Sequence, residues 1–191
     1  MSAWPEVPLA SIVSIKGGGT PSKEKAEFWG GCIPWVSPKD MKSELIGTSI
    51  DTITEEATRV SPAKLIPVGS ALIVVRSGIL ARMVPIATTT RPLTVNQDIK
   101  ALVSGPKLDA GFLVYFLRSA EPELLGHVTR GATVHRLSTE SIRSLQIPLP
   151  PLAEQKRIVA ILEAAFEGID TAIANAEQNL ANAPARCSNR G

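Results

Sequence analysis

The segment IPLPPLAEQKRI, residues 147–158, places the strongest constraint on how this chain folds. Its first two prolines end whatever strand pairing precedes them, because proline has no backbone N–H to donate. Pro151 suits the first position of a helix, where that missing donor would have no partner in any case. The next proline along the chain is Pro184. The sequence therefore predicts a strand that stops abruptly and a long helix over residues 151–183 that follows it.

The predicted helix carries an apolar row, three members of which recur eleven residues later. The row consists of Ile158, Leu162, Ala165, Ile169, Ile173, Ala176 and Leu180. Such a period favours a nearly straight or slightly right-handed supercoil with a partner helix. About 28 helical residues span roughly 42 Å, which is more than a domain of about 150 residues needs to cover one face. This length favours a spacer that pairs with another helix over a helix that lies back on its own domain.

Residues 1–150 show short β-rich runs interspersed with short helical segments. Strands are predicted over residues 9–15, 33–36, 70–75, 83–87 and 99–103. Three helices are predicted, with N-caps at Thr54, at Asp109, and at Ser138 or Thr139. Because strands and helices do not alternate regularly, the fold class is α+β, a globular domain followed by one long C-terminal helix. Residues 184–191 lack periodicity and are predicted to form a frayed or disordered tail.

Five segments of the chain together resemble the DNA specificity subunit of type I restriction-modification systems. They are GGGTPSK (residues 17–23), FWGGCIPWVSPKDM (28–41), TVNQDIK (94–100), RGATVHRLS (130–138) and IPLPPLAEQKRIV (147–159). The resemblance spans roughly residues 4–182. Such subunits usually carry two target-recognition domains and two spacer helices, whereas this chain has one of each. It therefore resembles an N-terminal half or a half-size subunit.

The resemblance implies a cytoplasmic, non-catalytic subunit that binds double-stranded DNA and holds neither a cofactor nor a metal. Residues 1–150 would recognise one half of a split target, and the helix would set the distance to the other half. The helix would also dock modification subunits, which would carry S-adenosylmethionine and flip the target adenine. ATP-driven cleavage would belong to a further restriction subunit. With one recognition domain, two copies would pair through the helix, and two-fold symmetry would then require an interrupted palindrome.

Charge is distributed unevenly along the chain, although the formal net charge is only +2. Residues 64–150 contain ten lysines and arginines against five acidic residues, whereas residues 1–63 contain six against eight. A basic region beside neutral ones is consistent with phosphate contact from one face. Scattered solvated charges are an equally acceptable interpretation.

The cysteines and the N-terminus favour a reduced intracellular protein. Cys32 and Cys187 are far apart, and neither belongs to a pair with metal-ligand spacing. The N-terminus lacks a basic stretch followed by a long apolar core, and no run approaches 18 apolar residues. Secretion and membrane spanning are therefore not expected.

Sequence motifs for catalysis are missing. The chain has neither a cofactor-binding glycine motif nor the Asn/Asp-Pro-Pro-aromatic motif of an adenine methyltransferase. Asp98-Ile99-Lys100 resembles a nuclease fragment but lacks the acidic partner motif that metal binding would require. His127 and His135 have no nearby carboxylate cluster, so no metal site is predicted. A scattered hydrolase triad remains a third, unsupported alternative.

Candidate DNA contacts are donors on predicted loops, because phosphates accept from cations and N–H groups while base edges suit arginine and asparagine or glutamine. They are Lys16, Thr20, Ser22, Lys23, Arg76, Ser77, Arg82, Asn96, Gln97, Arg130, Thr133, His135 and Arg136. The same residues are ordinary at the ends of strands, and NQDIK is equally consistent with a role in the scaffold. The loop at residues 17–23 is consistent either with a DNA-facing loop or with a tight structural turn. The tryptophans are expected to pack rather than to stack on bases.

Two hypotheses of different classes follow from the sequence. The first is a DNA specificity subunit that recognises half of a bipartite target and docks the methyltransferase subunits. The second is a protein-interaction module that binds the modification subunit without recognising DNA. Strong salt-dependent DNA affinity would distinguish them.

Overall fold

The computed structural model describes residues 4–182. Its strands, in chain order, are β1 (Glu6–Pro8), β2 (Val13–Gly17), β3 (Trp29–Val36), β4 (Leu45–Ile46), β5 (Asp51–Ile53), β6 (Ala71–Val74), β7 (Arg76–Ser77), β8 (Ile86–Thr89), β9 (Thr94–Val95), β10 (Ile99–Ser104), β11 (His135–Arg136) and β12 (Gln146–Pro148). Its α-helices are α1 (Glu55–Val60), α2 (Ala110–Ser119), α3 (Glu121–Gly126), α4 (Thr139–Ser144) and α5 (Leu152–Asn182). Short 3-10 helices occupy Leu9–Ser11, Ala26–Phe28 and Gly78–Ala81. This mixture confirms the α+β prediction.

A five-stranded sheet in the order β2-β10-β6-β8-β4 forms the centre of the domain. Its middle strand, β6, is buried along its whole length, which explains why its sequence is a continuous apolar run. Leu72 of β6 lies opposite Ala101 on one side and Ala87 on the other. Helix α2 packs on this sheet and buries Leu113 and Leu117 completely.

A second sheet, β5-β3-β9, holds two of the three tryptophans, Trp29 and Trp35. The rings of Trp29 and Trp35 meet edge to face with centroids 5.3 Å apart, and they pack beside Ile53. Between the two tryptophans the register of β3 against β5 shifts. Gly30 at this irregularity has a φ of 77°, a conformation that glycine adopts without steric cost. The expectation that Trp29 and Trp35 pack is therefore confirmed.

Three helix starts match the predicted caps. The hydroxyl oxygen of Thr54 accepts from the Ala57 N–H, and the carboxylate of Asp109 accepts from the Phe112 N–H. Ser138 is the third cap, and its hydroxyl oxygen accepts from the Ser141 N–H. In each case one of the donors that a helix leaves unpaired at its N-terminus is satisfied by a local side chain.

Two predicted strands begin later than expected. Residues 9–11 form a 3-10 helix with Leu9 fully buried, so the strand predicted over residues 9–15 starts only at Val13. Likewise the strand predicted from residue 83 starts at Ile86, because Met83 belongs to the turn after a 3-10 helix, with its N–H donating to the Ile79 carbonyl. Alternating hydrophobicity did not distinguish these turns from strands.

Helix α5 begins one residue after the predicted position. The carbonyl of Pro151 accepts from the N–H groups of Glu154 and Gln155 at 2.8 and 3.0 Å, so Pro151 immediately precedes the helix. The helix contains 31 residues. No helix among residues 4–182 is long and apolar enough to cross a membrane. The predicted tail, 184–191, and Cys187 lie outside the described residues.

The base of α5 is fixed to the domain by Gln155, which is fully buried. Its amide oxygen accepts from the Asp109 N–H at 2.8 Å. Its amide nitrogen donates to the carbonyls of Lys107 and Pro150 at 3.0 and 2.8 Å. One turn of α5 is thereby tied to the start of α2 and to the segment that precedes the helix.

Candidate nucleic-acid interface

The glycine loop at residues 17–23 is held tightly against the segment that follows β9. The Gly19 N–H donates to the Val95 carbonyl at 3.0 Å, and the Trp35 indole N–H donates to the Gly19 carbonyl at 2.8 Å. A Cβ added at Gly18 would lie 1.9 Å from the Val95 carbonyl oxygen, so only glycine fits there. The Thr20 hydroxyl donates to the Gln97 amide oxygen at 2.8 Å. The glycines are thus required for the turn, and Thr20 lies beside Gln97.

A two-stranded ribbon brings two of the predicted sets together. Strands β7 and β11 pair antiparallel, with Arg76 opposite Arg136 and Ser77 opposite His135. The ribbon extends through Thr129, whose N–H donates to the Arg136 carbonyl at 2.8 Å and whose carbonyl accepts from the Arg136 N–H. Residues far apart in the sequence therefore lie side by side at the end of the central sheet.

An open groove of about 590 Å³ lies between this ribbon, the glycine loop and the turn after β3. It is lined by Lys23, Trp35, Ser37, Pro38, Lys39, Asp51, Arg76, Ser77, Gly78, Asn96, Asp98, Val134 and Arg136. We call this the basic groove, because four of these side chains are cationic and two are carboxylates. One carboxylate, that of Asp98, is paired with Arg76.

A neighbouring groove of about 430 Å³ shares two lining residues with the basic groove. Arg76 and Arg136 line both, and Gln97, Thr129 and Ser138 line the second. The two arginines therefore form a ridge between two open depressions. Such a ridge can present guanidinium donors to phosphates or base edges.

Five predicted contact residues line the basic groove, and Gln97 lines the neighbouring one. They are Lys23, Arg76, Ser77, Asn96 and Arg136. The others lie elsewhere and are exposed. Lys16 lies on β2, and the carbonyl of Ser22 accepts from the Trp29 indole N–H. Arg82 follows a 3-10 helix, and Arg130 and Thr133 lie in the loop before β11. His135 is half-buried opposite Ser77.

The turn at residues 37–40 was not predicted from the sequence, and it contributes Ser37 and Lys39 to the basic groove. The carboxylate of Asp40 organises this turn by accepting from the Ser37 N–H and hydroxyl and from the Ile50 N–H. The signal was present in the SPKD portion of a segment that carried the family resemblance. A proline and an aspartate after a strand predict such a turn.

The far half of α5 is exposed and apolar on one side. Beyond Leu162 every side chain of the helix is exposed. These exposed residues include five members of the predicted pairing row: Ala165, Ile169, Ile173, Ala176 and Leu180. Ile158 instead packs partly against the domain core. Phe166 stacks on Tyr115 of α2 at 6.0 Å. The predicted row therefore divides into a base that contacts the domain and an outer part that does not.

One flank of this apolar row is acidic. Glu163, Asp170 and Glu177 recur every seven residues, and residues 158–182 contain no lysine or arginine. Desolvation raises the pKa of Tyr115, and the Glu163 carboxylate raises it further. At the base of the helix the hydrogen bond from Arg157 lowers the pKa of Glu154. The outer half of α5 therefore presents an apolar stripe with negative charge along one side.

The described residues, 4–182, contain no group of three histidine, cysteine or acidic side chains that could hold a metal ion. Cys32 is exposed on β3. The side chains that line the basic groove offer hydrogen-bond donors and acceptors and charge.

Comparison with known proteins gives consistent matches. A family described as type I restriction modification DNA specificity domain matches residues 1–181. The specificity subunit of the Escherichia coli type I restriction enzyme EcoR124I/EcoR124II is 44% identical over 157 residues, covering 81% of this chain and 39% of the relative. The Methanocaldococcus jannaschii MjaIX specificity subunit is 29% identical over 163 residues, covering 83% of this chain and 37% of the relative. The chain thus spans about two fifths of the length of these curated relatives.

Solved structures match over nearly the whole chain. A chain from a structural study of complex assembly and conformational transition in the type I R-M system superposes with a TM-score of 0.73 at 25% identity. It covers 93% of this chain and 42% of the other. The HsdS subunit from Thermoanaerobacter tengcongensis gives a TM-score of 0.68 at 23% identity, covering 90% and 39% respectively. At 23% identity, the likeness to the HsdS subunit shows a shared fold.

Proposed function

Because the chain belongs to the family of type I restriction-modification DNA specificity domains, we propose that it recognises one half of a bipartite target in double-stranded DNA. The observation that carries this proposal is the basic groove, with the ridge of Arg76 and Arg136 along one wall. Lys23 and Lys39 supply further cations from two other elements. Cations from separate loops facing one open groove suit phosphate contact, and arginine suits base edges in the major groove.

We further propose that the chain has no catalytic role and acts in the cytoplasm by docking modification subunits beside the DNA. Those subunits would carry S-adenosylmethionine and methylate the adenine, and a separate restriction subunit would cleave. The exposed row on α5 supports this proposal, because large apolar side chains that remain exposed mark interaction sites.

We also propose that two copies pair through antiparallel α5 helices. Two-fold symmetry then places two basic grooves at a fixed separation, and the recognised site is an interrupted palindrome. The outer residues Ile169, Ile173 and Leu180 are 52%, 50% and 78% exposed and are free to meet a second helix.

Selection from a pool of duplexes with a randomised core tests the proposal. The full chain, alone and with its modification subunits, is expected to enrich two short conserved blocks separated by a gap of fixed length. Affinity should fall steeply with salt, as phosphate contacts require. Enrichment of no sequence in either condition would contradict recognition of DNA and favour a module that binds only the modification subunit. Asymmetric sites alone would contradict the homodimer.

A further inference from the structure

The two arginines of the ridge differ in how they are held. Arg76 donates from its Nε to an Asp98 carboxylate oxygen at 2.6 Å, and its side chain is 42% exposed. Arg136 lies opposite Arg76 in the ribbon. Within residues 4–182 the Arg136 side chain makes no hydrogen bond or ion pair. One guanidinium is therefore held by a carboxylate, and among the described residues its neighbour is not.

Asp98 is itself fixed by its surroundings. Its second carboxylate oxygen accepts from the Asn96 amide at 3.0 Å, and its N–H donates to the Asn96 amide oxygen at 2.9 Å. Its carbonyl accepts from the N–H groups of Val75 and Arg76 at 2.8 and 3.2 Å. Asp98 therefore holds Arg76 by the main chain and by the side chain together. Asn96 is only 6% exposed, and its two hydrogen bonds fix the position of Asp98.

This arrangement leaves the terminal amino groups of Arg76 available. Among the described residues its Nη atoms make no hydrogen bond, although Arg76 lines the basic groove. Guanine offers O6 and N7 side by side in the major groove, and a guanidinium fork donates to both. A side chain that is already ordered loses less conformational entropy on binding. Fixing Nε while leaving the Nη groups free thus prepares Arg76 for a guanine edge.

The local charges of Arg76 and Arg136 also favour different ligands for the two side chains. Pairing with Asp98 largely cancels the local charge of Arg76, which weakens it as a phosphate contact, since that contact depends on net positive charge. It does not remove the hydrogen-bond donors. Arg136 has no carboxylate partner among the described residues and keeps its full charge, which suits a phosphate contact.

We infer that Arg76 recognises the guanine of one G·C pair in the target, that Asp98 and Asn96 are positioning residues for it, and that Arg136 contacts phosphate. This inference rests on the proposed function and deepens it by assigning one base to one side chain. It also gives Asn96 a role in support of Arg76, whereas the sequence alone had suggested a direct DNA contact.

The test compares Arg76→Gln with the matched control Arg136→Gln on the selected target and on duplexes altered one base pair at a time. Arg76→Gln should reduce discrimination at a single G·C pair by about 5- to 150-fold. It should also shift preference there towards A·T, because glutamine suits adenine. Arg136→Gln should weaken all duplexes alike and reduce the slope of log affinity against log salt by about 0.9.

Asp98→Asn separates positioning from folding. It should reduce discrimination at the same G·C pair, and its effect should be smaller than additive with Arg76→Gln, because both changes remove one interaction. Unchanged far-ultraviolet circular dichroism would show that each variant is folded. If Arg76→Gln weakens all duplexes equally, or if Asp98→Asn alters a different base pair, the inference is wrong while the proposed function stands. If the wild-type chain selects no sequence, both are wrong.

Discussion

The basic groove and the outer half of α5 differ in how complete they are. In the groove, polar groups such as Asp98 and Asn96 are already bonded to one another. Along the outer helix, Ile169, Ile173 and Leu180 lie at least half exposed with no protein against them in the described structure. A site built from polar groups that are already hydrogen-bonded loses little stability when no ligand is bound. A row of exposed apolar side chains gains about 1.5–3 kcal/mol for each one that a partner fully buries.

The first prediction removes the outer row. Ile169→Gln together with Ile173→Gln should abolish self-association, because two buried aliphatic side chains would be lost from each helix. Multi-angle light scattering should then give the mass of a monomer where the wild-type chain gives a dimer. The proposed DNA contacts are untouched, so the groove of each copy should keep its affinity for a single half-site.

The control for this pair is Glu167→Gln, a change of charge on the side of α5 opposite the row. It should leave the dimer mass unchanged. If the double variant Ile169→Gln, Ile173→Gln kept the wild-type dimer mass, the row would not be what holds two copies together. If the wild-type chain were itself a monomer, the row would belong to a different partner.

The second prediction weakens the junction between the two regions. Gln155→Ala leaves the partly buried N–H of Asp109 and the carbonyls of Lys107 and Pro150 without their partners, so we expect a loss of about 2–4 kcal/mol in the free energy of unfolding. The matched control is Gln178→Ala, which makes the same change at an exposed site on the same helix and should cost less than about 0.5 kcal/mol. Urea denaturation followed by circular dichroism measures both, and equal losses would contradict the role of Gln155.

The third and smallest prediction concerns the acidic flank. In a two-fold antiparallel pair, each flank of a helix meets the same flank of its copy, so the rows that contain Glu163, Asp170 and Glu177 would face each other. Screening should relieve this repulsion, and the dimer should tighten by about 2- to 5-fold between low and high salt. Asp170→Asn should tighten it slightly at low salt. Weakening by salt, measured by sedimentation equilibrium, would indicate a partner with basic residues on that flank.

Local physical chemistry explains what the sequence predicted well. The caps at Thr54, Asp109 and Ser138 depend on a side chain and an N–H three residues apart, so they are visible in the sequence itself. The long helix was visible because no proline interrupts it. Turns such as Leu9–Ser11 were missed because an apolar residue that packs inward is compatible with a turn or with a strand.

The candidate site was predictable only as a set of residue types. Arg76 and Asp98 are 22 positions apart and meet because β6 and β10 pair antiparallel. No pattern along the chain shows which arginine will find a carboxylate and which will remain free. The difference between Arg76 and Arg136 arises from tertiary structure, and it decides their proposed roles.

The antiparallel pairing of β1 with β12 has a consequence for how such chains can diversify. Pro8 pairs with Gln146, and the Leu149 N–H donates to the Pro5 carbonyl, so the chain leaves the globular domain close to where it enters it. A unit whose two ends lie together can be exchanged for another of the same fold with little strain on what surrounds it. If the chain recognises DNA as proposed, replacing residues 9–145 by the corresponding segment of a relative would change the sequence recognised. Strands β1 and β12 and the path of α5 would stay as they are, provided that the incoming segment keeps the contacts of Lys107 and Asp109 with Gln155.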